Sequence, residues 1–246
     1  MIQSFLFGLI AGLALLLGAG FGLFFRPSQK VSAMIMAFGS GVLISALTFD
    51  LIEEAYKVGG IVSISSGFIV GALSFVIVDW LLERRGGHYR KYLKGERSRF
   101  KGEASSLAIA FGALLDGIPE SVMIGVGILS GTSTGILMFA AVFLSNIPEG
   151  ISGVYGISKA KKSRHFIIIL WIFIALVCGL ASLLGYRFLA GASGEVLAIV
   201  SSIAAGSILA MITDTMIPEA YENGGVFVAL LTVFGFLSAF IISKIA

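Results

Sequence analysis

Eight apolar stretches, each long enough to cross a bilayer, dominate this chain and leave little else for it to build with. They cover roughly residues 4–25, 31–55, 60–82, 104–129, 132–158, 165–189, 195–221 and 224–244. About 20 apolar residues span the hydrocarbon core as a helix. Backbone polar groups inside that core must pair within the segment, so each stretch is expected to be helical. Composition agrees: 57% of the residues are hydrophobic and 13% charged, with a mean hydropathy of +1.02. The expected fold class is an all-α polytopic membrane protein, a single transmembrane domain over residues 1–246 with one long basic loop, 83–103. Met1-Ile2-Gln3-Ser4 carries no positive charge ahead of the first stretch, which is therefore read as a retained span and not a cleaved signal. Cys178, the single cysteine, lies in an apolar run, so neither a disulfide framework nor a thiolate metal site is expected within one chain.

The basic residues fall on alternate loops. Arg26 and Lys30 follow the first stretch. Arg84, Arg85, Arg90, Lys91, Lys94, Arg97, Arg99 and Lys101 follow the third, and Lys159, Lys161, Lys162 and Arg164 the fifth. The opposite side holds only Lys57, Arg187 and Lys244. Positive loops stay cytoplasmic, so both termini are expected outside and the loop 83–103 inside, in a cell (plasma or inner) membrane. That loop, with Tyr89, Tyr92 and Phe100 among its charges, is expected to touch anionic lipid; no nucleic-acid partner is expected.

The chemistry concentrates in the fourth and fifth stretches. One reads Leu115-Asp116-Gly117-Ile118-Pro119-Glu120-Ser121, the other Leu144-Ser145-Asn146-Ile147-Pro148-Glu149-Gly150. Asp116 and Glu120 are four apart, as are Ser145 and Glu149, which puts each pair on one helix face. Pro119 and Pro148 donate no hydrogen bond, so the carbonyls of Leu115 and Leu144 lose their helical partners. Ionised acids inside a bilayer cost several kcal/mol unless paired, hydrated or metal-bound. Carboxylates, freed carbonyls, amide and hydroxyl together form an oxygen-rich cage for a divalent cation. The competing structural role is protonated carboxyls hydrogen-bonded between helices.

The second and seventh stretches carry a matching pattern. Gly41 leads to Asp50, Glu53, Glu54, Ala55, Tyr56, Gly59 and Gly60; Gly206 leads to Asp214, Pro218, Glu219, Ala220, Tyr221, Gly224 and Gly225. Under the expected topology the two copies cross the membrane in opposite directions. That is an inverted repeat, in which substrate sites lie near the midplane between repeats. Asp50 and Asp214 are candidate ligands or path-lining acids. Glu53, Glu54, Glu219 and Glu222 are expected in solvated vestibules, and Asp79, beside Trp80, at the membrane interface.

These motifs resemble those of the ZIP (Zrt/Irt-like) family of divalent metal transporters. Asp116-Gly117-Ile118-Pro119-Glu120-Ser121 stands where the family's fourth span carries His-Asn-x-Pro-Glu-Gly. Ser145-Asn146-Ile147-Pro148-Glu149-Gly150 stands where its fifth carries a second polar-x-x-Pro-Glu motif. The resemblance implies eight helices in a 3+2+3 arrangement, a homodimer and alternating access. It also implies a metal site formed by Asp116, Glu120, Ser145, Asn146 and Glu149. Gly117 replaces the family's asparagine, so a second metal would lose a ligand there. No histidine lies in the interior of any stretch, and oxygen ligands suit harder ions better than imidazole does. The expected cargo is therefore a range of divalent cations: zinc, manganese, iron or cadmium. The metal is cargo and no cofactor is expected, nor is an enzyme. The alternatives are a divalent-cation channel or an intramembrane carboxylate enzyme pairing Asp50 with Asp214.

Overall fold

The computed structural model describes residues 1–25, 27–84, 103–159 and 163–245. The basic loop 83–103, but for its ends, lies outside the described residues, as do Arg26 and residues 160–162. The chain runs α1 (Ile2–Phe25), α2 (Gln29–Ala46), a π-helical turn (Leu47–Ile52), α3 (Glu53–Arg84), α4 (Glu103–Ser130), α5 (Thr132–Lys159), α6 (Arg164–Leu189) and α7 (Gly194–Met211). A second π-helical turn (Ile212–Met216), α8 (Ile217–Gly224) and α9 (Phe227–Ile245) complete it. Among the described residues seven helical stretches are long and apolar enough to cross a membrane, and all regular structure is helical.

The difference from eight lies in Gln29–Leu81, a 53-residue helical stretch. Straight, it would extend about 80 Å, well over twice the hydrocarbon thickness of about 30 Å. It is broken at Gly60, where φ is 68° and ψ is −179°. This left-handed backbone suits glycine, which has no Cβ to clash. Ala55 and Ile64, on either side of the break, both pack against Ala198. The seventh stretch is longer than expected, running helically from Gly194 to Gly224 through the second π-turn. The two π-turns left no signal in the apolar pattern.

Local starts and stops follow capping chemistry. The Ser28 and Ser193 hydroxyls accept hydrogen bonds from the Val31 and Val196 amides at 3.3 and 3.4 Å, capping α2 and α7. Ser163 caps α6 in the same way. Pro218 occupies the first turn of α8, directly after the second π-turn.

Helices α1, α4, α5 and α6 pack on one another; α2 packs along α9, and α3 along α7. The two sets meet where α2 touches α5 and α4 touches α7. Four close crossings are built in one way. A Cβ at Gly41 of α2 would lie 1.9 Å from the Thr232 carbonyl oxygen of α9, and one at Gly235 2.0 Å from the Phe38 oxygen. Gly206 on Phe68 and Gly71 on Ile203 repeat this between α7 and α3, at 2.1 and 1.8 Å. Gly18 with Gly150, and Gly125 with Gly185, do the same for α1–α5 and α4–α6. Small residues let helix backbones touch where lipid supplies no hydrophobic drive for association.

The same numbering offset links Gly41 to Gly206, Ser28 to Ser193 and Gly60 to Gly225. Both Gly60 and Gly225 have φ 68°. Gly59 packs on Ala198, and Gly224 has Ala33 beside it. The two halves thus share caps, crossings and turns. Asp79 is buried at 7% exposure. The Arg84 guanidinium lies 3.7 Å from the centre of the Trp80 ring.

Candidate functional site

Helices α4 and α5 each continue through their proline, Pro119 and Pro148. Their polar faces turn inward. Asp116 and Glu120 are 4% and 1% exposed, and Ser145 and Asn146 are 2% and 1%, whereas Ile118 and Leu144 on the opposite faces are exposed. Glu149 is half-buried. Glu149 is also the charged group whose field acts on Glu120, so the two Pro-Glu acids share one neighbourhood.

The supporting contacts are specific. Asn146 donates from Nδ2 to the Ala11 carbonyl of α1 at 2.8 Å. This fixes its amide and leaves Oδ1 buried without a hydrogen-bond donor among the described residues. Glu120 Oε2 is likewise buried with no hydrogen-bond partner among them. Ser145 donates to the Val142 carbonyl one turn back, at 3.0 Å. Helix α1 is pressed onto α5 around Pro148 by the Gly18–Ile147 and Gly150–Leu15 approaches. Buried polar atoms without partners are costly. Here they are oxygens, the atoms a hard cation would satisfy.

Two contacts were not found by sequence reasoning: the Ala11 carbonyl with Asn146 and Cys178 with Gly117. Cys178 of α6 is 1% exposed. Its sulfur donates to the Gly117 carbonyl of α4 at 3.8 Å. The only sequence signal for it is the missing side chain at Gly117.

Asp50 and Asp214 lie one on each π-turn. Ser243 donates to Asp50 Oδ1 at 2.6 Å, and the charged groups acting on Asp50 are Lys244, Glu53 and Glu54. Asp214 is half-buried. Among the described residues no three His, Cys, Asp or Glu side chains stand close enough to hold one metal ion. The acids are gathered into a neighbourhood but not closed around a point.

Acids line two cavities among the described residues. Asp50, Glu54, Val58, Leu197, Ala198 and Ser201 line one of about 220 Å³. Ser32, Ala33, Met36, Ser152, Glu219 and Asn223 are among those lining the other, of about 10 Å³. At the numbering offset noted above, Glu54 stands to Glu219 as Val58 to Asn223 and Ala33 to Ala198. About one water fits the smaller. Glu219, expected to be solvated, instead accepts a hydrogen bond from Ser152 of α5, and Asn223 donates to its carbonyl at 2.9 Å. This ties α8 to α5. Glu53 does face solvent, paired with Lys57 at 3.3 Å.

Membrane-type helices enclosing buried acids define a multi-pass helical membrane protein with a polar interior site. No known family model matches the chain. Over 221 residues it is 24% identical to an Arabidopsis thaliana protein named "Putative zinc transporter", a match covering 89% of this chain and 34% of the relative. The chain thus spans about a third of that protein's length.

Proposed function

We propose that this chain is a secondary transporter of divalent metal cations, working by alternating access through Asp116, Glu120, Ser145, Asn146 and Glu149. The observation that carries this reading is the buried, unpartnered carboxylate oxygen of Glu120, set against Glu149 between two proline-containing membrane helices. A doubly charged ion satisfies both acids where the surroundings offer Glu120 no donor. The likeness to a protein named as a zinc transporter supports metal transport in general. Zinc, manganese, iron and cadmium are all within the proposed range.

The finer architecture belongs to the same proposal. Counting the break at Gly60 as a loop makes eight spans, with the acid-bearing pair α4 and α5 between two groups of three. Matched caps, crossings and glycine turns favour an inverted repeat. With both termini outside, the Asp50 cavity faces out and the Glu219 cavity faces in. A cavity of about 220 Å³ against one of about 10 Å³ suits an outward-facing state of a two-state carrier. Separate packing of α1, α4, α5 and α6 suits movement of that bundle as a unit, and a homodimer would anchor the remainder.

In this scheme the Ser152–Glu219 hydrogen bond latches the inner side. A bond to a charged group contributes about 1.5–3 kcal/mol, so Ser152→Ala is expected to shift the balance toward the inner-open state at least roughly tenfold. The check is the labelling rate of an Asn223→Cys variant by a maleimide presented from the inner face. An unchanged rate would remove the latch from the mechanism.

Flux into proteoliposomes tests the function. Saturable uptake of zinc, manganese, iron or cadmium is expected. Non-saturating flux would favour a channel, and its absence for all four metals would end the transporter reading.

A further inference from the structure

We propose that the crevice between α3, α4 and α7 is a binding site for one acyl chain of a surrounding phospholipid, lodged against the helix that carries Asp116 and Glu120. The site stands apart from the metal-transport reading and holds or fails without it.

Shape is the first support. The crevice has a volume of about 290 Å³. Its wall on α4 is Leu115, Ile118, Pro119 and Val122, the i, i+3, i+4 and i+7 positions of one helix face. Helices α3 and α7 supply stripes of the same spacing, from Gly71 to Val78 and from Val200 to Ser207. Three two-turn stripes side by side make a slot about 10 Å long that runs with the helix axes. Such a slot suits an extended chain better than a compact ring. It exists because Gly71 and Gly206 bring α3 and α7 into backbone contact, whereas α4 packs on α7 and barely meets α3.

Chemistry is the second support. Apart from Ser74 and Ser207, every side chain lining the slot is apolar. The Ser74 hydroxyl donates to the Val70 carbonyl of its own helix at 2.7 Å, so it calls for no partner in the slot. An apolar cavity of about 150 Å³ already stays dry and admits benzene, which excludes water as the occupant of this larger one.

Depth names the occupant. Leu115 to Val122 lie in the middle of the Ala110–Leu129 span. Val78 and Ile118 line the slot and are each 40% exposed, so its mouth opens between them. The mouth continues into the exposed Leu73 and Ile77 of α3, part of the apolar surface that these membrane-type helices turn to lipid. What the bilayer holds at that depth is hydrocarbon chain. The gain on entry is dispersion contact, which the lining forfeits while it faces a void. Leu115, Ile118, Pro119 and Val122 share two turns with Asp116 and Glu120, so a chain that holds α4 off α3 also bears on where the acids stand.

The test uses the purified full chain in nanodiscs holding a rising fraction of phosphatidylcholine with a mid-chain diazirine. After photolysis, mass spectrometry locates the lipid adducts. Adducts on Gly71–Val78 and Leu115–Val122 are expected to saturate, as a discrete site requires. Those on Leu230, Val233 and Phe234 of α9, all exposed, are expected to rise in proportion to the probe. Ser74→Phe places a ring in the slot from its exposed rim. It is expected to lose the α4 adducts and keep those on α9. Crevice adducts that rise in proportion, or that persist in Ser74→Phe, would make this ordinary lipid-facing surface and overturn the proposal. Their absence while α9 is labelled would also overturn it; oxidation of Val78→Cys to a dimer would then assign the face to a second copy of the chain. Should Ser74→Phe not fold, saturation in the wild type decides alone.

Discussion

Glu120→Ala is expected to abolish divalent-cation uptake while the protein remains folded and correctly inserted. Removing groups that merely orient metal ligands costs about 10–100-fold in affinity, so deleting a direct carboxylate ligand is expected to lower uptake by roughly 100-fold or more. Folding is expected to survive because the side chain contributes little to stability. It is 1% exposed and one of its oxygens has no partner, so burying it costs free energy that alanine does not incur. The measurement is initial uptake of zinc and manganese into proteoliposomes, beside the thermal midpoint of the same preparation. Glu53→Ala is the control. Glu53 is an exposed acid paired with Lys57 at 3.3 Å, and exposed pairs contribute little, so its uptake is expected to stay within about twofold of wild type. Wild-type uptake by Glu120→Ala would move the site elsewhere. Loss of folding would mean that Glu120 is chiefly a structural acid.

The second large effect is on stability and concerns helix contact. Gly71→Ala would place a methyl 1.8 Å from the Ile203 carbonyl oxygen. The obstacle is backbone in the middle of α7, which cannot rotate aside, so the helices must separate. Overpacking usually costs about 1–3 kcal/mol, and a backbone collision lies at or beyond the upper end. For a chain of this size that corresponds to a fall in thermal midpoint of roughly 5–10 °C. Gly20→Ala in α1 is the counterpart, since a Cβ there meets nothing within 4 Å. Alanine in an open helical position is better than glycine by about 0.5–1 kcal/mol, so this variant is expected to be neutral or slightly more stable. Midpoints in one detergent compare the two. Equal midpoints would mean that the α3–α7 crossing is looser than its geometry implies.

The class of fold was legible in the sequence because lipid imposes a simple rule: a long apolar run must become a helix. The acids beside Pro119 and Pro148 were legible for the same reason, since charged groups are too costly in such runs to be incidental. The Gly41 and Gly206 copies were visible as an echo and returned as matching caps, crossings and turns. The one-residue offset between Asp50 and Asp214 remained unexplained, because π-turns leave no mark on apolar periodicity.

Sequence alone thus determined the helices and their polar insertions, both consequences of which groups tolerate hydrocarbon. Only the tertiary structure decided which side chains from distant helices share a space. It brought the Ala11 carbonyl to Asn146, joined Ser152 to Glu219, and set the Cys178 sulfur into the gap at Gly117. Such meetings depend on how closely glycine-lined backbones cross. That is a property of whole helices in contact, and no single stretch of residues carries it.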